Sequence, residues 1–178
     1  GMDEVRVYNR SLTVDEIQAL AGIAPLSVSK TGTGTGTITS APAGINCGAA
    51  CTYNFPRNTS VVLTAAPTLG STFTGWSGAG CSGTGTCTVT MDAAKSVIAN
   101  FDLTEYTLTI TSDHGTVAKN PDKATYHYGD SVQLTATPAV GWAFTNWSGG
   151  VTGISNPVSL TINGNTSVTA NYTQIEYS

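Results

Sequence analysis

The chain has 178 residues, only 10% of them charged, with a formal net charge of −4. So few acids and bases leave little material for acid–base catalysis, and no basic stripe is present to neutralise phosphates, which argues against nucleic-acid binding. No apolar run approaches the ~18 residues of a membrane-spanning helix, yet Val, Ile, Leu and aromatic residues are frequent enough to build small cores.

Gly1 ahead of Met2 reads as the scar of a removed tag, so the segment is expected to come from a longer chain that carries any export signal elsewhere. Residues 2–10 have strand character. Ser11 to Gly22 reads as a short helix: Thr13 is its N-cap, Glu16 lies three residues on as the capping-box partner, and Gly22 stops it. Ile23-Ala24-Pro25 is expected to be a linker, so that residues 1–25 stand apart from the rest of the chain.

From Leu26 onward the chain repeats itself, as two tandem modules over 26–102 and 103–178. Ser60-Val-Val-Leu-Thr-Ala-Ala-Pro67 is echoed by Ser131-Val-Gln-Leu-Thr-Ala-Thr-Pro138. Phe73-Thr-Gly-Trp76 returns as Phe144-Thr-Asn-Trp147, and Ser96 to Phe101 as Ser167 to Tyr172, all at one offset. Gly36-Thr37-Ile38 matches Gly115-Thr116-Val117 at a larger offset, read as a few extra residues in the second repeat or a loss from the first. Thr31 to Thr37 alternates Thr and Gly. It lacks the Lys-Ser/Thr and following helix of a phosphate loop, and reads as a flexible, hydroxyl-rich hairpin.

All four cysteines, Cys47, Cys51, Cys81 and Cys87, fall in the first repeat. An even number in a Thr/Gly-rich chain, with no CxxC and no nearby histidine, favours disulfides over zinc and implies an oxidising compartment. Proximity favours Cys47–Cys51 and Cys81–Cys87, although the sequence admits three pairings. The second repeat has Thr152 and Val158 where the first has Cys81 and Cys87, so the bridges are staples and not the basis of the fold.

In the second repeat, Tyr106 to Thr111 alternates apolar residues and threonines, as a half-buried strand does. Ser112-Asp113-His114-Gly115 supplies turn chemistry and Thr116-Val117-Ala118 returns, as a hairpin. Asp130 to Thr137 is a further strand closed by Pro138. Ser159 to Ile162 and Ser167 to Tyr172 flank Asn163-Gly164-Asn165, a strong hairpin signal. About six short strands per repeat are expected, with no helical periodicity: a mainly β chain of two small modules. Asp102 to Glu105 links them directly.

Trp76 and Trp147 hold equivalent places before Ser-Gly and are expected to be structural anchors. Trp142 has no aromatic counterpart (Ser71 stands there), which makes it the candidate ligand-binding residue, expected to be exposed. His114 reads as part of a turn and His127 as outward-facing. Neither has a nucleophile at a recognisable spacing. Asp92, Asp102, Asp113, Asp122 and Asp130 are scattered over turns and strand ends without a calcium motif. No catalytic residue, metal ligand or cofactor is expected.

The stretch Met2-Asp-Glu-Val-Arg-Val-Tyr-Asn-Arg10 with Asp15-Glu16-Ile17 resembles the closing strand and helix of concanavalin-like (laminin-G-like) jelly-roll domains. Its strand has no sheet of its own here and could pair with a repeat edge or join two copies of an otherwise monomeric chain. The repeats resemble the divergent internalin B-repeat family on Gly36 and Gly115, the strands from Ser60 and Ser131, the Phe73–Trp76 and Phe144–Trp147 motifs, and the endings Ala99-Asn100-Phe101 and Ala170-Asn171-Tyr172. That resemblance implies a bacterial surface repeat with a small β-grasp-like fold, acting as a spacer or weak interaction module. The expected function is a non-catalytic extracellular stalk. The alternatives are an adhesive module that binds a glycan or a protein, and an accessory module of a secreted glycan-active enzyme.

Overall fold

The computed structural model describes residues 10–176. The strand expected at residues 2–10 lies, but for Arg10, outside them, and with it most of the jelly-roll resemblance and the pairing of two copies through that strand. The chain divides into two compact units between Asp102 and Leu103.

The first unit opens with α1 (Val14–Leu20). Its capping box forms as expected: the Glu16 backbone N–H donates to Thr13 Oγ1 at 3.3 Å, and the Thr13 N–H donates back to the Glu16 carboxylate at 2.9 Å. Arg10 also donates to that carboxylate, and with the Thr13 N–H it holds Glu16 down at a pKa of about 2. Gly22 ends the helix at φ 67°.

Seven strands complete the unit: β1 (Ile23–Thr31), β2 (Gly36–Ala41), β3 (Thr52–Pro56), β4 (Ser60–Pro67), β5 (Ser71–Ser77), β6 (Cys87–Thr90) and β7 (Lys95–Leu103). Ile23–Pro25, expected as a linker, are the start of β1. Ala24 is buried, and Ile23 to Ser27 pair with β3. The odd-numbered strands form one sheet in the order β3-β1-β7-β5, the even-numbered ones another in the order β2-β4-β6. Leu26, Val28, Phe55, Trp76, Val97 and Phe101 from the first sheet meet Ile38, Val61, Leu63 and Val89 from the second in one core. The two sheets therefore form the two layers of a small sandwich.

The second unit has six strands: β8 (Leu108–Ser112), β9 (Gly115–Asn120), β10 (Ser131–Pro138), β11 (Trp142–Gly149), β12 (Val158–Thr161) and β13 (Thr166–Gln174). They form sheets β11-β13-β8 and β12-β10-β9 around a second core that holds Tyr126, Val132, Leu134, Trp147, Ile162 and Val168. In each unit the first and last strands lie side by side and parallel, as in a β-grasp sheet: Leu26–Thr31 beside Lys95–Asn100, and Leu108–Ser112 beside Thr166–Ala170. A three-stranded sheet covers the face that a β-grasp gives to a helix.

Two expected hairpins are absent. Ser112–Gly115 joins β8 to β9, and Asn163–Asn165 joins β12 to β13, but in both cases the two strands belong to different sheets. These turns are arches over the core edge. Asn165 shows why its turn holds without a ladder, since its Oδ1 accepts from the Thr107 backbone N–H at 2.9 Å. The Thr/Gly run is likewise an arch, and a fastened one: the Gly34 N–H donates to the Phe101 carbonyl at 2.8 Å and Thr31 Oγ1 donates to Asn100 Oδ1 at 2.9 Å.

The offset between the repeats also resolves in the opposite sense to that expected. Ala24 pairs with Phe55 just as Tyr106 bridges Tyr126, so those aromatic positions correspond. The path from Pro42 to Phe55 is the longer one, by roughly the length of the segment that carries Cys47 and Cys51. The extra residues belong to the first repeat.

Both bridges are local, Cys47–Cys51 and Cys81–Cys87. Cys47, Cys81 and Cys87 are buried in the first core, with Cys51 packed against it. Short loops remove little entropy from the unfolded chain, about 2 kcal/mol per bridge. Reduction of both is expected to lower the unfolding midpoint of the first unit alone. Urea titration with and without reductant, read residue by residue by NMR, checks this; an equal loss in the second unit would show that the bridges support both.

Candidate functional site

Trp76 and Trp147 sit in the cores, 5% and 0% exposed. Each indole N–H donates to a carbonyl in the loop after its strand, Trp76 to Gly85 at 2.6 Å and Trp147 to Ser155 at 2.9 Å. Each ring also packs on the phenylalanine three residues earlier, at centroid distances of 4.9 Å for Phe73 and 5.1 Å for Phe144. Buried faces and a satisfied N–H leave neither ring for a ligand.

Trp142 differs from the expectation of an exposed ring. It is half-buried, and its indole stacks on His114 with centroids 3.5 Å apart and planes within 5°. The stack has a position-by-position counterpart in the first unit. There Thr68 donates its N–H to the Thr35 carbonyl, as Ala139 does to His114. Thr35, Thr68 and Ser71 form a hydroxyl cluster, with Thr35 Oγ1 and Thr68 Oγ1 2.5 Å apart and the Thr35 N–H donating to Ser71 Oγ at 3.0 Å. The second unit replaces these three with His114, Ala139 and Trp142. One structural solution, hydroxyl to hydroxyl, gives way to another, ring on ring. Beside the stack Val140 is fully exposed, as is most of Leu69 at the matching place in the first unit.

His127 is half-buried in a turn closed by Asp130, whose Oδ2 accepts the His127 backbone N–H at 3.1 Å. That bond and Lys123 hold the Asp130 carboxyl below its ordinary value. Three further carboxylates are engaged locally: Asp92 with Lys95 at 2.6 Å, Asp122 with Lys119 at 2.8 Å, and Asp102 with Thr74 and Asn100. Among the described residues no three His, Cys, Asp or Glu side chains converge as a metal site would require. An open depression of about 200 Å³ in the first unit is lined by Gln18, Ile23, Ala24, Pro25, Arg57, Ala93 and Ala94. Its Arg57 guanidinium donates to the Asp92 carbonyl, and the lining holds no carboxylate pair of the kind glycoside hydrolysis uses.

The model of the divergent InlB B-repeat domain matches residues 26–105 and 106–176. No curated protein matches the chain. The solved structure of the major pilin protein (T-13) from Streptococcus pyogenes serotype GAS131465 is similar over 86% of this chain and 97% of its own, at 10% identity and a TM-score of 0.36. So distant a likeness carries no argument about what this chain does.

Proposed function

Because the chain belongs to the divergent InlB B-repeat family, with two repeats in direct succession, we propose that it is a non-catalytic extracellular spacer built to carry tension. The observation that supports this reading most is the parallel ladder between the first and last strands of each unit. The chain enters at the start of β1 and leaves at the end of β7. In a parallel pair those two points lie at opposite ends of the ladder, so a pull along the strands loads all its hydrogen bonds together. An antiparallel pair pulled from one end would instead open one bond at a time. Two disulfides in the first core suit an oxidising, extracellular setting. The two aromatic anchors are taken up by packing, and Asp92, Asp102, Asp122 and Asp130 by local pairing, which supports a structural role for them.

Single-molecule pulling through the two ends tests the reading. Two separate, sharp ruptures are expected, one for each unit, with little extension before either. Gradual lengthening at low force would remove the spacer under tension from consideration.

A further inference from the structure

The first unit closes one flank of its sandwich with the segment the second unit lacks. There the Cys47 N–H donates to the Ile38 carbonyl at 2.7 Å and the Ser40 N–H to the Ile45 carbonyl at 3.1 Å, along the outer edge of β2. The Val28 N–H then donates to the Cys51 carbonyl at 2.8 Å, and β3 continues along the outer edge of β1. One hairpin thus covers two strand edges, and Ile45, Cys47 and Phe55 go into the core. Leu26, Val28 and Ile38 behind it are 0%, 5% and 0% exposed.

In the second unit the chain passes from Asn120 to Tyr126 directly. Only Tyr126 remains of the cover: it and Tyr106 exchange both backbone bonds, at 2.8 and 2.9 Å. Alternation along β8 then fixes the direction of its backbone groups. Tyr106 faces outward and Thr107 faces β13, to which its carbonyl is bonded through the Thr166 N–H, so Leu108 and Ile110 present their backbone groups outward. On β9, Val117 pairs with Ala136, whose backbone groups are both taken by the Asn156 side chain on the far side, so Val117 and Lys119 also face outward. β8 and β9 are edge strands of their sheets. Leu108, Ile110 and Val117, the counterparts of Leu26, Val28 and Ile38, are only half-buried.

We propose that this flank of the second unit binds an extended, uncharged strand donated by a partner protein, which takes the place that residues 45–55 take in the first. Unpaired edges over half-exposed apolar residues are what strand addition requires. Charge selects the occupant. Lys119 is already paired with Asp122 at 2.8 Å and Lys123 with Asp130 at 3.0 Å, so the flank offers no free charge to an incoming one. Residues 45–55 carry none either. The fitting strand has a small or apolar residue at every second position, and Asn, Thr or Ala between. The inference goes beyond the spacer reading and stands without it.

The test uses the whole chain and a disulfide-closed synthetic peptide that copies residues 44–56. Hydrogen exchange at the amides of Ile110 and Lys119 is expected to slow at least about tenfold at saturating peptide. Val28 and Ser40 in the first unit should not change. A chain in which residues 122–125 are replaced by the sequence of 43–54 should show the same protection without peptide and bind none. A peptide carrying Ile45→Lys should be inert. The proposal is overturned if saturating peptide leaves Ile110 and Lys119 unchanged in the native chain, or if the Ile45→Lys peptide protects them equally. Protection that rises with protein concentration in the absence of peptide would assign the edge to a second copy, and overturn the proposal too.

Discussion

Trp147→Ala is expected to bring the second unit to the edge of unfolding while the first keeps its stability. Trp147 is fully buried, packs on Phe144 and spans from β11 to the loop that leads to β12. Removal of so large a ring from a core costs roughly 3–5 kcal/mol. The Ser155 carbonyl also loses its partner, at about 1 kcal/mol more. A unit of this size has roughly 4–10 kcal/mol in all, and this one leaves Leu108, Ile110 and Val117 half-buried, which places it low in that range. Urea denaturation followed by residue-resolved NMR separates the units. A loss under about 1 kcal/mol would mean that the indole is peripheral. Trp147→Phe keeps most of the volume and should recover most of the loss, less the hydrogen bond.

Gly36→Ala is expected to destabilise the first unit by roughly 1–3 kcal/mol, near the upper end, although one methyl group is all it adds. Gly36 is not in a left-handed conformation, so the demand is for space alone. A Cβ there would overlap the ring of Phe101, only 2.6 Å from its Cζ. Phe101 is itself fully buried and lies against Phe73 at 5.2 Å, so it has no free direction in which to retreat. Phe101→Leu in the same chain should relieve the overlap. The double variant should therefore lose less than the sum of the singles, by about 0.5–3 kcal/mol of coupling. Additive losses would refute the direct clash. The second unit supplies a control. Gly115 faces Tyr172 in the same way, but a Cβ there also comes to 2.5 Å from the Thr137 backbone oxygen. Shortening Tyr172 should rescue Gly115→Ala less fully.

Strand positions, the two-unit division and the local disulfides were legible because each rests on short-range signals. The strand expected over Asp130 to Thr137 alternates cleanly, and β10 runs from Ser131 to Pro138, one residue later at each end. Trp76 and Trp147 were recognisable as anchors because repetition at a fixed offset favours a structural demand over a ligand. Strand pairing was not legible. A strand in a sandwich buries one face whichever sheet it joins, so Thr166–Gln174 looks the same beside β12 as beside β8 and β11. Asn163-Gly164 announces a reversal of the chain but not whether a ladder comes after it. Gly36 and Gly115 read as turn residues, whereas each one yields space to an aromatic from the last strand. Trp142 was misjudged as exposed because its cover, His114, is remote in sequence and has no aromatic counterpart in the other repeat.

The alternation of strands between layers bears on how each unit comes to be folded. In the first unit successive strands fall in opposite sheets from β1 to β7, so no ladder joins consecutive strands. The strand that comes last, β7, lies in the interior of its sheet, between β1 and β5, and β13 lies likewise between β8 and β11. Local zipping of consecutive strands therefore cannot seed the sheet that holds β7 or the one that holds β13, and a high mean separation of contacts slows the search. On a ribosome, β5 stays unjoined to β1, and β11 to β8, until the final strand of the unit has emerged between them. The sheet that holds the first strand of a unit is thus completed last, and the first unit has all its strands before the second begins.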